Sequence, residues 1–334
     1  MGEGVYPTVL KQYGRSLVEL ARRRTDIVCF TGDLTRQCEI DLFQEAFPER
    51  FIHAGMAEAN MMSMAGAMAR RGFIPFVHTF GVFATRRPLD QIVNSIAYPN
   101  LPVRIVGFMP GISSPGGPSH QAIDDVALMR ALPNMTVLDL ADATEIRLAV
   151  PAIVDIPGPV YLRLKRGETP RIFDDDHRFS LSQAQVLQHG SDVALMASGM
   201  MLSTALAARD VLERAGVGAA VVNIPVIKPI DTDTVLEVAR GVSAVVTAEN
   251  HSIIGGLGSA VAETLAESGL GRTLRRVGLQ DTFAEGARTV ASLFHAYGLS
   301  TQHVVEAAWA ALGRSDAAPS VPMVETAEGE YAPV

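Results

Sequence analysis

The strongest constraint on this chain is the alternation of short apolar runs with longer amphipathic stretches. "DIVCFTG" (26–32), "FIPFVHTF" (73–80), "PVRIVGF" (102–108), "MTVLDL" (135–140) and "PVYLRL" (159–164) are too short to be buried helices and are apolar on both faces, as strands covered from both sides are. Between them "YGRSLVELARRR", "AEANMMSMAGAMARR", "PLDQIVNSIAY", "AIDDVALMRAL" and "ATEIRLAVPAIV" carry helical spacing; the last contains Pro151, where a bend or restart is expected. Strands that alternate with helices in this way predict an α/β fold of mainly parallel sheets flanked by helices.

The alternation breaks at the charged, turn-rich stretch "KRGETPRIFDDDHRFS" (165–180) and then resumes with "DVALMASG" (192–199), "MLSTALAARDVLERAG", "GAAVVNIP", "AVVTAEN" and "TQHVVEAAWAALG". A chain of 334 residues is long for one core. Two α/β domains are therefore expected, over 1–168 and 189–313, with a linker at 169–188. The small, polar, Pro-containing segment 314–334 reads as a flexible tail.

Composition excludes several function classes. A formal charge of −8 argues against nucleic acid as the main partner, because phosphate binding needs a basic face. Cys29 and Cys38 are too few for a disulfide framework and lack metal-ligand spacing, so no metal site of the chain's own is expected. The start "MGEGVYPTVL" has neither the basic nor the apolar region of a secretory leader, and no apolar run reaches the ~18 residues of a membrane span. A cytoplasmic protein without a membrane partner is expected.

Three places carry candidate chemistry. Glu58 opens an otherwise apolar, small-residue helix, and after it no acid occurs until Asp90. Two readings are open: a carboxylate complementing the helix dipole in water, or a desolvated carboxyl able to share a proton with a ligand. Phe80 and Phe83 follow a strand, where α/β folds place ligand-binding loops, although paired phenylalanines also serve as core. His120 ends the loop "GISSPGGPSH" at the mouth of a helix, a position a structural histidine also fits. No serine nucleophile elbow or phosphate-cradling Gly-Lys loop is present. The turn "AENHSIIGGLGSAV" is Gly-rich, but its spacing is not that of a dinucleotide fingerprint.

In order and spacing, "RFIHAGMAEANM", "HTFGVF", "GGPSHQAIDDVALMRALPNMTV" and "SAVVTAENHSIIGGLGSAVAE" resemble the C-terminal half of transketolases, over about residues 8–312. The likeness is nearest to the second subunit of a split transketolase. It implies a thiamine-diphosphate-binding fold of the pyrimidine type for the first domain and a transketolase C-terminal-like second domain. By this resemblance Glu58 hydrogen-bonds the aminopyrimidine of thiamine diphosphate and holds its proton near neutral pH. Phe83 stacks on that ring with Phe80 beside it, and Asp33 of "TGDL" lies near the cofactor. His120 contacts the reacting end of the substrate, Arg166 holds a terminal phosphate, and His53 is a weaker substrate-binding candidate. A solvated Arg at a domain edge remains an equal reading of Arg166, as does a structural role for His53.

Departures from the family pattern bear on the substrate. Gly116 stands where family members carry an acidic residue, and "GFMPGISS" lacks a histidine they use for substrate phosphate. An atypical sugar or sugar phosphate is therefore expected. "TGDLTRQ", which holds the chain's Gly-Asp step, does not match the family's diphosphate–magnesium motif. The resemblance thus implies that Mg2+ and the diphosphate are held mainly by an N-terminal-type transketolase partner. It also implies self-association through both domains, in a tetramer of two chains of each kind. The implied activity is transfer of a two-carbon ketol unit from a ketose to an aldose. Alternatives are the β subunit of a 2-oxo acid dehydrogenase E1 component, a deoxyxylulose-phosphate synthase relative, or a non-catalytic assembly partner.

Overall fold

The protein is described from a computed structural model covering residues 6–321. It divides into two compact units, one formed by Tyr6–Pro110 with Asp125–Leu181 and the other by Gly111–Asp124 with the residues from Ser182 onward.

The first unit runs through β1 (Thr8–Val9), α1 (Gln12–Arg23), β2 (Ile27–Thr31), α2 (Asp41–Ala46), β3 (Phe51–His53), α3 (Glu58–Arg70), β4 (Ile74–Phe80), α4 (Gly81–Thr85), α5 (Leu89–Ile92) and β5 (Arg104–Phe108). From Asp125 it continues through α6 (Asp125–Arg130), β6 (Thr136–Asp139), α7 (Ala143–Ile153), β7 (Val160–Leu164) and β8 (Thr169–Pro170). Strands β6, β7, β5, β4, β2 and β3 lie side by side in that order, every pair parallel. Every residue of β2, β4, β5 and β7 is buried, the reason these strands read as mainly apolar runs. β1 and β8 pair antiparallel, which brings residues 169 and 170, expected in the linker, into this unit.

Helix α7 runs past Pro151 to Ile153, so of the expected bend or restart the restart does not occur. Its start is capped by Asp142, whose side chain accepts from Glu145 N at 2.7 Å, while Glu145 accepts from Ala141 N at 2.8 Å. The carbonyls beyond its end are met by Arg104, fully buried on β5, which donates to Val154 O at 2.9 Å and Gly158 O at 2.7 Å. On α3, a Cβ at Gly66 would come within 2.4 Å of Ser95 O, so the small-residue face receives the chain just after α5.

Two polar clusters interrupt the core of this unit. Arg163 on β7 donates through Nε and Nη2 to Asp125 at 2.9 and 3.0 Å and through Nη1 to Asp139 at 3.3 Å. The Tyr161 hydroxyl adds a bond of 2.7 Å to Asp125. Burial works against the guanidinium's charge, and the two carboxylates outweigh it, so Arg163 titrates above its ordinary range. On β4, His78 Nε2 lies 2.7 Å from the Tyr13 hydroxyl and Nδ1 lies 2.9 Å from Phe30 O.

Burial lowers the His78 pKa from the ordinary 6.5 to about 4, against an opposing hydrogen bond to Phe30. Between these values the unfolded chain binds a proton that the folded chain refuses, so stability falls as pH drops through that window and is whole above it. The window spans about 3 kcal/mol at ~1.4 kcal/mol per unit. Denaturant titrations from pH 4.5 to 7 should show a shallower slope in His78→Gln than in the wild type. Parallel slopes would mean that His78 is not a source of acid sensitivity.

The second unit runs through β9 (Gln185–Gln188), β10 (Val193–Ala197), α8 (Met201–Arg214), β11 (Ala219–Asn223), β12 (Val226–Lys228), α9 (Thr232–Arg240), β13 (Ala244–Ser252), α10 (Leu257–Glu267), β14 (Thr273–Leu279), α11 (Val290–Ala296) and α12 (Thr301–Ala311). Its sheet has the order β14-β13-β10-β11-β9, parallel except for β9, which runs antiparallel on the edge. Leu257, Val261 and Leu265 of α10 and Val235 and Ala239 of α9 join one buried cluster with Ala194, Met196, Val222 and Val245 of the sheet.

Segment 111–124, between β5 and α6 in sequence, belongs to this second unit. Ile112 N donates to Asn250 Oδ1 at 2.9 Å, Ser252 N to Ile123 O at 2.8 Å and Ala287 N to Pro115 O at 3.2 Å. Gly111 is required there: its φ is +53°, and a Cβ would lie 2.1 Å from Asn250 O. Of the expected tail, residues 322–334 lie outside the described residues, whereas residues 314–321 lie along α12. Trp309 Nε1 donates to Asp316 O at 3.1 Å, and Val321 N to Gln302 Oε1 at 2.7 Å.

Candidate functional site

The candidate residues of the first unit gather at the C-terminal ends of its parallel strands, the edge where open α/β sheets bind ligands. β3 ends at His53, a turn with Gly55 at φ +73° follows, and Glu58 opens α3. Ala57 offers no side-chain cap, so the first-turn acid complements a bare helix N-terminus. Glu58 is only 4% exposed. This burial goes against the reading of Glu58 as a carboxylate in water and fits that of a desolvated carboxyl.

Glu58 is not alone. Arg87 Nη1 donates to Glu58 Oε1 at 2.8 Å, while the Arg87 side chain itself remains 51% exposed. The guanidinium also stands over Phe83, its Cζ 4.1 Å from the ring centroid. Phe83 lies in α4, immediately after β4, and its ring is 6.0 Å from that of Phe80 at an interplanar angle of 30°. Arg166, just beyond β7, places its Cζ 5.8 Å from the Phe80 centroid. Glu58, Arg87, Phe83, Phe80 and Arg166 thus form one continuous row, a buried carboxyl at one end and aromatic faces between two guanidinium groups. Arg87 was missed by sequence reasoning. Its signal was its place four residues after Phe83, the spacing at which side chains on a helical path meet.

Asp33 follows β2 in a left-handed conformation, φ +67°, and its Oδ1 lies 3.2 Å from His53 Nε2. Both side chains are about half exposed, so this is a surface pair beside the row. His120 belongs to the second unit, at the end of the 3-10 turn Pro118–His120, with Ser119 Oγ 2.9 Å from its Nδ1. Gly117, before that turn, has φ +87°.

The Gly-rich turn of the second unit has an internal explanation. Glu249 accepts from Leu257 N at 2.7 Å and Gly258 N at 2.8 Å, so a carboxylate of the chain occupies the α10 N-terminus, where a phosphate would bind. A Cβ at Gly256 would come within 1.9 Å of Glu249 Oε2, which accounts for the glycine.

A carboxyl next to an aromatic face is a donor set that fits an aminopyrimidine: the acid meets the ring's edge nitrogens and the phenyl covers its plane. Residues 6–171 match the transketolase pyrimidine-binding domain, and residues 182–304 match the transketolase C-terminal domain. A transketolase family protein of Sinorhizobium fredii, y4mN, is 43% identical over 90% of this chain and 87% of its own length. The 6-deoxy-6-sulfo-D-fructose transketolase subunit SqwH of a Clostridium species is 42% identical, over 87% of this chain and 90% of its own. A solved structure described as a split-gene transketolase, an inactive β4 tetramer, superposes with a TM-score of 0.84 at 44% identity, over 92% of this chain and 98% of that one. Among the described residues no helix is long and apolar enough to cross a membrane. The chain belongs to the transketolase family, whose pyrimidine-binding domain and C-terminal domain it carries in that order.

Proposed function

We propose that this chain is the pyrimidine-side subunit of a split transketolase-like enzyme that moves a two-carbon ketol unit from a ketose to an aldose. The observation that carries this reading is the buried Glu58 carboxyl set beside the Phe83 ring through a shared neighbour, Arg87. Thiamine diphosphate, when bound, would supply a nucleophilic thiazolium carbon. Glu58 would hold the aminopyrimidine edge and exchange a proton there, and Phe83 and Phe80 would cover the ring plane and keep water away. His120 meets the substrate oxygen on which charge develops, with the Ser119 hydroxyl fixing its ring orientation. Arg166 provides a guanidinium for the far anionic end of the sugar, and Asp33 with His53 borders the same edge.

The substrate is an atypical sugar. Gly116 removes a carboxylate and "GFMPGISS" a histidine that the family pattern provides, and a relative at 42% identity is named for a sulfonated ketose. Matches at 31% identity to 1-deoxy-D-xylulose-5-phosphate synthases cover 48% of those proteins' length.

An N-terminal-type transketolase subunit, in a tetramer with two copies of each chain, supplies the diphosphate and Mg2+ site. The relative described as an inactive β4 tetramer supports a chain that self-associates yet does not turn over by itself. Calorimetry should then show thiamine diphosphate binding with Mg2+ only when this chain is mixed with its partner subunit. Tight binding to this chain by itself would refute the division of the site.

A further inference from the structure

Arg87 makes the two contacts that the reading above assigns to the aminopyrimidine ring. Its guanidinium is flat, carries N–H donors along its edge, and stacks on aromatic faces. It spends one donor on Glu58 Oε1 at 2.8 Å and lays its plane against Phe83 with Cζ 4.1 Å from the centroid. One carboxyl oxygen and one phenyl face cannot serve both groups. We infer that Arg87 is a place-holder for the aminopyrimidine, and that docking of the ring requires the guanidinium to swing off both Glu58 and Phe83. This rests on the roles proposed above for those two residues.

The physical logic is asymmetric between the partners. Glu58, 4% exposed, would be costly to leave buried with no partner, so a pairing group keeps the corner stable until a ligand takes over. Arg87 is 51% exposed and lies outside any helix, between α4 and α5, so it regains water at little cost when it leaves. A site whose competent conformation is only a fraction of the population binds more weakly by that fraction. Arg87 therefore sets a threshold, and any ligand that lacks both an edge for Glu58 and a face for Phe83 fails to pass it.

The test uses this chain, labelled with 15N-arginine and assembled with its partner subunit, and, as probes, thiamine and its free 4-amino-5-hydroxymethyl-2-methylpyrimidine portion. Arg87→Met keeps the apolar stem and removes the guanidinium. It should bind both probes on the order of tenfold more tightly than the wild type. In the wild type, the Arg87 Nε–H resonance should move as either probe saturates. Arg87→Lys, which pairs with Glu58 but cannot lie flat on Phe83, should fall between the two and serves if the Met variant melts abnormally. Equal or weaker affinity in Arg87→Met overturns the place-holder. So does absence of binding in both proteins, because removing the guanidinium would then have opened nothing. Glu58→Gln and Phe83→Ala in the Arg87→Met background separate the two levels. If neither weakens binding, the proposed roles of Glu58 and Phe83 fall. If both do and Arg87→Met is still no tighter than the wild type, only the place-holder falls.

Discussion

Glu58→Gln should lower turnover of the assembled enzyme by about 10²–10⁴-fold, the usual yield of a positioned acid–base group, and leave assembly intact. The substitution is nearly isosteric, and the amide carbonyl can still accept the Arg87 hydrogen bond that Glu58 Oε1 accepts at 2.8 Å. The buried corner at the start of α3 therefore keeps its shape and its pairing. What the amide loses is the ability to give and regain a proton, the role proposed for Glu58 at the ring edge. Size-exclusion chromatography with the partner subunit and steady-state rates on a panel of ketoses would be measured side by side. Near wild-type turnover would remove Glu58 from the mechanism. Loss of assembly together with activity would make it a structural residue instead.

Arg163→Met should be the most damaging single change in the first unit, costing about 3–5 kcal/mol. The side chain is 1% exposed, and bonds from its Nε, Nη1 and Nη2 end on two carboxylates that are themselves buried, Asp125 and Asp139. Methionine fills much of the volume but takes the guanidinium away from both acids, leaving negative charge in a core that cannot solvate it. Asp125 opens α6, Asp139 ends β6 and Arg163 lies on β7, so three elements loosen together. The expected readout is a melting temperature lower by on the order of 10 °C. Adding Asp125→Asn and Asp139→Asn should recover a large part of the loss, since the damage comes from stranded charge. If the triple variant is no better than Arg163→Met, the cluster matters for packing and its electrostatics are secondary.

Much of the frame was legible in the sequence because burial leaves a periodic trace. The strands covered on both sides, β2, β4, β5, β6 and β7, are mainly apolar runs broken by few polar residues and were all read as strands, as were β10, β11 and β13. The strands that escaped are peripheral. β3 has only three residues, none of them buried, and β9 is an antiparallel edge with mostly partial burial. β14 carries Arg275 and Arg276 on an exposed half, so its pattern is that of a surface segment. Glu58, Phe80 and Phe83 were legible because they stand in a motif next to strand ends. Arg87 was not, because a long side chain with several rotatable bonds can reach many places, and only the fold decides which carboxyl it meets. The pairing of Asp33 with His53 escaped for a related reason: it depends on two parallel strands being neighbours, which no local pattern records.

The anchoring of segment 111–124 has a consequence for how this protein can be divided. Its ends are tied covalently to β5 and α6, yet its hydrogen bonds run to Asn250, Ser252 and Ala287. A gene cut at residue 181, which would look clean in sequence, would strand the loop that bears His120 on a fragment without its moorings. Recombination between relatives at that boundary would likewise graft one lineage's 111–124 loop onto another lineage's anchor. Segment 111–124 and the residues from Ser182 onward therefore need to stay together, although β5 and α6 separate them in sequence.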